Sequence, residues 1–224
     1  MVAAIGEIVR NGVMFDMKNW DGEAFNPESL PEVVARLFAL FEERETDYLL
    51  VGGIALLSYV DGRNIQDVDF ILSKYDLDGV PEIAVRDENR DFVRGDFSGL
   101  QIDLFLTQNK LFDLVRKRFA TSRTFATSRT FGGLSIRTVS VPGLVLLKFY
   151  AMPSLYRQEN FDRVSIYESD IMLLLINYTV DVEALMKLLS KYMLASDLLE
   201  IQETVSDVQR RILRSQRSRS RLNE

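Results

Sequence analysis

The stretch YLLVGGIALLSYVDGRNIQDVDFIL (Tyr48 to Leu72) sets two adjacent glycines at the end of one apolar run and two aspartates, one residue apart, on the next. The first run reads as a buried strand and IALLSYV as a short helix, so Gly52 and Gly53 fall at a strand-to-helix turn. Lacking Cβ, such a pair lets the backbone approach a ligand closely, and the helix start offers free N–H groups to phosphate oxygens. Alone the signal is weak, since a Gly-Gly turn from strand to helix is more often simple close packing. DVDFILS reads as a second strand, whose period of two puts Asp67 and Asp69 on one side and Val68 and Phe70 toward the core. Two carboxylates this close repel unless a cation lies between them, which is what a divalent metal requires. The polar face of an edge strand is the alternative reading.

Working outward, GLQIDLFL (Gly99 to Leu106) alternates as a strand and carries a third acid, Asp103, in strongly apolar company. A buried, unpaired carboxylate is costly, so a metal or another cation is expected beside it, with a salt bridge to an Arg as the ordinary alternative. PEIAVR and LSIRTVSV read as further strands. Ser29-Leu30-Pro31-Glu32 has the form of a capping box, followed by helical spacing of Val33, Val34, Leu37, Phe38 and Phe41. NKLFDLVRKRF reads as an amphipathic helix. From Pro142 onward the pattern is helical, through GLVLLKFYAM, SDIMLLLINY, DVEALMKLLSKYM and a long C-terminal segment. The layout predicts an α+β fold, with a mixed-sheet core and N-terminal helix over residues 1–140 and a helical region over 141–224. The duplication ATSRTFATSRTF (Ala120 to Phe131) is too short for a solenoid and is expected to lengthen a loop or a hairpin strand.

The 224 residues contain neither Cys nor His. Disulfides, thiolate metal sites, the usual zinc ligands and nucleophiles paired with His are therefore excluded. Catalysis must come from carboxylates, Lys, Arg or Tyr, and any metal is expected to be hard and bound by oxygen. No apolar run approaches a membrane span and the N-terminus lacks a signal-peptide layout, so the expected location is cytoplasmic, away from membranes. The net charge of −6 conceals an asymmetry, because Arg210 to Arg221 holds six Arg and no acid, leaving −12 elsewhere (−6 − 6). An acidic body with a basic tail suits a nucleic acid or a protein partner; a solvated helix end fits equally.

A glycine pair, thirteen intervening residues, Asp-x-Asp and a later strand acid resemble the nucleotidyltransferase (polymerase β-like) superfamily. VGGIALLSYVDGRNIQDVDF is similar in particular to the AbiEii/AbiGii-type nucleotidyltransferases of toxin–antitoxin and abortive-infection systems, which carry Arg-x-Thr-x-Asp-x-Asp after the glycines. Here Arg63 to Asp69 keeps the Arg and both Asp, with Ile65 in place of Thr. The family also has a Lys on a following helix, an Arg shortly after and a later Asp, matched by Lys148 in VLLKFYA, Arg157 in LYRQ and Asp170 in ESDIMLLL. Taken alone, Lys148 reads as a snorkelling residue and Asp170 as a helix-start charge. The resemblance implies Asp67, Asp69 and Asp103 as ligands of Mg²⁺ (or Mn²⁺), with Gly52, Gly53, Arg63 and Arg157 contacting an NTP substrate. It implies Asp103 as a helper in deprotonating the acceptor, and Lys148, oriented by Asp170, facing the leaving pyrophosphate. The implied acceptor is an RNA end, with tRNA foremost, or a hydroxyl on a protein partner such as a cognate toxin or antitoxin; an inactive binding module is the third possibility.

Overall fold

The computed structural model describes residues 30–60, 67–124 and 135–222, which fall into two compact units with the boundary between Ser140 and Val141. The chain has an α+β fold. In the first unit the order is α1 (Leu30–Glu43), β1 (Leu49–Val51), α2 (Gly52–Leu57), β2 (Val68–Leu72), α3 (Lys74–Asp78) and β3 (Ala84–Glu88). Then come β4 (Phe92–Phe97), β5 (Leu100–Leu106), α4 (Lys110–Arg118), β6 (Ala120–Thr124) and β7 (Ser135–Val139). The second unit holds α5 (Val141–Arg157), α6 (Phe161–Asn177), α7 (Val182–Leu189) and α8 (Ala195–Leu222).

The described strands form one seven-stranded sheet in the order β3-β4-β5-β2-β1-β7-β6. The pairs β2/β5 and β1/β7 are parallel and the other four antiparallel, so the sheet is mixed. β2, the strand with the paired aspartates, is the central one, which removes the edge-strand alternative for them. Val68 and Phe70 are buried, as a period of two from Asp67 and Asp69 requires. Phe70 is clamped edge-on by Phe38 and Phe41 of α1 and by Tyr48, with ring centroids 5.8, 5.1 and 5.5 Å apart. Edge-to-face rings at these distances add to simple burial. The cluster fixes which face of β2 meets α1, and so which face is left for the acids.

α1 buries Val33, Val34, Leu37, Phe38 and Phe41, one stripe at helical spacing. Ser29 of the expected capping box lies outside the described residues. Two elements had no counterpart in the pattern reading. α3 is a five-residue helix capped by Ser73, whose hydroxyl accepts from the Asp76 N–H while the Asp76 carboxylate accepts from the Ser73 N–H. β4 is the hairpin partner of β5, joined through Ser98 and Gly99, both at positive φ (54° and 83°). That two-residue turn matches the twist of the strands and favours glycine at its second position. β6 covers the start of the duplicated segment and pairs with β7; the second copy lies outside the described residues. Among the described residues, no helix is long and apolar enough to cross a membrane.

Candidate metal centre

Strand register explains how three acids from separate segments converge. Asp69 and Asp103 are direct partners on the parallel pair β2/β5, so their side chains stand side by side on one face. Asp67 immediately precedes β2 and shares that face. One carboxylate oxygen from each of Asp67, Asp69 and Asp103 lies within 4.8 Å of the others. Asp67 and Asp69 are half-buried and Asp103 is buried.

The glycine turn is shaped by Asp69. Val51 and Asp69 are partners on β1/β2, so the residue that leaves β1 passes directly over the Asp69 side chain. That residue is Gly52, at φ +65°, and a Cβ there would sit 1.8 Å from Asp69 Oδ2, 2.3 Å from Cγ and 2.6 Å from Cβ. Only glycine satisfies both the left-handed backbone and the contact. The Gly53 N–H donates to Asp69 Oδ2 at 3.3 Å. In this structure the glycine pair thus seats a carboxylate, a role the sequence reading did not include.

Three carboxylates together need a counter-charge, and Arg94 supplies one. It is the register partner of Asp103 on the antiparallel pair β4/β5, which places it on the same face. Its Nε donates to Asp103 Oδ1 at 2.9 Å and its Nη2 to Oδ2 at 3.0 Å, a two-pronged fork. Gln101 Nε2 also donates to Oδ1, at 3.2 Å. The hydrogen bond to Asp103 pushes the Arg94 guanidinium still further above its ordinary pKa; burial opposes this, and the charges of Asp103, Asp67 and Asp87 add to it. The sequence allowed a salt bridge from an Arg to Asp103 without singling out Arg94, although a signal for it exists. A Ser-Gly turn between FVRGDF and LQIDLFL fixes Phe97 opposite Leu100, and counting outward brings Arg94 opposite Asp103.

Arg63 lies outside the described residues. Lys148, Arg157 and Asp170 belong to the second unit. There the Lys148 Nζ donates to Asp170 Oδ2 at 2.8 Å, with the two side chains only 9% and 2% exposed, and it lies 4.3 Å from the Tyr167 ring centroid. This is a buried ion pair between α5 and α6, so Lys148 is not a snorkelling surface residue. The Arg157 Nη1 donates to Asp197 Oδ1 at 2.8 Å.

No family model matches the chain, and no curated protein matches it. Among solved structures it is similar to the crystal structure of ANT(2")-Ia in complex with adenylyl-2"-tobramycin, with TM-score 0.49 and 10% identity over 81% of this chain and 97% of that one. The solution structure of ANT(2'')-Ia overlaps with TM-score 0.48 and 10% identity over 85% and 98% of the two chains. An antigenic nucleotidyltransferase-like protein from Paracoccidioides brasiliensis overlaps with TM-score 0.44 and 15% identity over 79% and 93%. At these scores the function rests on the site's own residues.

Proposed function

We propose that the chain is a metal-dependent nucleotidyltransferase of the AbiEii/AbiGii type, which moves a nucleoside monophosphate from an NTP to an acceptor hydroxyl. The observation that carries this reading is the convergence of Asp67, Asp69 and Asp103 on one face at the sheet centre, beside a glycine turn. The donor set suits Mg²⁺ or Mn²⁺, being hard carboxylate oxygen throughout. The charge suits it as well, since three carboxylates and the Arg94 guanidinium sum to −2, which one divalent ion balances. When bound, such an ion would neutralise charge on the triphosphate and polarise the phosphorus under attack.

The chain's own residues have the following roles in this reading. Asp67 and Asp69 hold the ion, and Asp103 completes its ligand set and helps to accept the proton of the acceptor hydroxyl. The bare backbone of Gly52 and Gly53, with Arg63, seats phosphate oxygens. Lys148 is held in a defined position by Asp170 and meets the charge of the departing pyrophosphate, while Arg157 contacts the nucleotide. The acceptor is an RNA end, with tRNA foremost, and the setting a toxin–antitoxin pair in the cytoplasm. The six Arg of Arg210 to Arg221 support RNA, because phosphate neutralisation by such a tail strengthens binding and makes it fall with salt.

The test is incubation with each NTP labelled at the α-phosphate, with Mg²⁺ and either total cellular RNA or total protein. Label should enter RNA, and Asp67→Asn or Asp69→Asn should abolish transfer while the protein stays folded. Label on a polypeptide would redirect the acceptor to a protein partner. Equal transfer by wild type and either Asn variant would refute the metal centre. No transfer to any acceptor would leave a binding module as the reading.

A further inference from the structure

We propose that Arg94 is the resident counter-ion of the three-acid cluster and competes with the divalent ion for Asp103. The inference rests on the reading of that cluster as a metal centre. Asp103 Oδ1 accepts from both Arg94 Nε and Gln101 Nε2, which uses its two lone pairs. Oδ2 accepts from Arg94 Nη2, which leaves one lone pair. An incoming ion therefore has one lone pair of Asp103 to use, unless it displaces the Nη2 arm and gains the second.

Displacement is open to Arg94 and closed to Asp103. The Asp103 side chain is 4% exposed and fixed within β5, whereas that of Arg94 is 39% exposed. Its guanidinium carbon already lies 5.4 Å from the Phe92 ring centroid, so an aromatic face is at hand when the carboxylate is given up. Electrostatics sets the direction of the effect. With Arg94 the cluster tolerates its three carboxylates in the absence of an ion; without it they repel one another. The same positive charge repels a divalent ion. Arg94 thus stabilises the ion-free form and weakens ion binding, acting on the site through Asp103 as a positioning residue.

The experiment is Mn²⁺ titration by calorimetry, without nucleotide, on wild type, Arg94→Gln and Arg94→Lys, with thermal midpoints measured with and without Mn²⁺. Arg94→Gln should bind Mn²⁺ about tenfold tighter, as expected on removing one nearby positive charge from a partly screened site. Its ion-free midpoint should fall below wild type and recover when Mn²⁺ saturates. Arg94→Lys, which keeps the charge but not the two-pronged fork, should bind Mn²⁺ with an affinity between those of wild type and Arg94→Gln. Equal or weaker binding by Arg94→Gln overturns the inference and makes the fork a support for Asp103 as a ligand. Should that variant not fold, the wild type still decides. Exchange of the Arg94 side-chain N–H protons with water should accelerate as Mg²⁺ is added, and unchanged exchange overturns the inference. Absence of ion binding in both wild type and Arg94→Gln removes the metal centre itself; binding without tightening removes this inference alone.

Discussion

Gly52→Ala tests the glycine turn directly, and its cost can be worked out from two separate sources. The first is backbone conformation: φ at Gly52 is +65°, and an L-residue in the left-handed region costs about 1–2 kcal/mol. The second is overlap with Asp69. The new Cβ would lie 1.8 Å from Oδ2 and 2.3 Å from Cγ, and rotation of the Asp69 side chain can carry both atoms away. It cannot move the Asp69 Cβ, 2.6 Å away, which is fixed by the backbone of the central strand β2. The turn must therefore shift, a form of overpacking that costs about 1–3 kcal/mol. The expected total is about 2–5 kcal/mol. Urea unfolding of wild type, Gly52→Ala, Asp69→Gly and the double variant separates the two parts. Asp69→Gly removes all three clashing atoms, so in that background Gly52→Ala should cost only the backbone part, about 1–2 kcal/mol. The coupling energy is then about 1–3 kcal/mol. An equal cost in both backgrounds would show that Asp69 is not what excludes a side chain from position 52.

Lys148→Met should destabilise the protein by about 3–5 kcal/mol, because it takes the Lys148 ammonium away from the buried Asp170 carboxylate, and adding Asp170→Leu should recover most of the loss; a loss confined to the single variant's activity, with unchanged unfolding, would contradict this. For Tyr48, burial first and Glu42 second push the phenol up to about 12, against the lowering effect of Arg137. The folded state therefore keeps a proton that the unfolded chain releases near pH 10, so this stabilisation is complete below pH 10 and disappears as pH rises to about 12, by about 3 kcal/mol in all. Urea unfolding across that window should show a steeper decline for wild type than for Tyr48→Phe, and parallel declines would refute the assignment.

Much of the fold was legible because its elements have a clean periodicity. α1 presents its apolar stripe at helical spacing, β5 alternates, and the second unit is helical throughout, as SDIMLLLINY and DVEALMKLLSKYM suggest. β4 was not, since FVRGDF mixes two charges and a glycine into six residues, although its alternate positions Val93, Gly95 and Phe97 are buried. β3 shows the reverse case. Its PEIAVR pattern reads as a strand, yet every residue of Ala84–Glu88 is exposed, with an irregularity between Val85 and Asp87. Such an edge strand is held by its ladder to β4 and not by side-chain burial, so apolar content says little about where it ends.

The site was legible in its acids, and a salt bridge from an Arg to Asp103 was the alternative to a metal there, but which Arg was not legible, and the reason is strand order. A period of two assigns each acid to a face of its own strand, but it does not say which strands adjoin. Order and register together produce one row across four strands, Val51, Asp69, Asp103 and Arg94. Within that row Val51 leads into the glycine that covers Asp69, and Arg94 forks onto Asp103. The aromatic clamp on Phe70 holds the row in place. A slip of one residue in β2 would turn Asp69 toward Phe38 and Phe41, burying its carboxylate among aromatic rings. The core on one side of β2 therefore dictates the chemistry on the other, and the apolar residues that never approach a ligand are the ones that keep three acids in register.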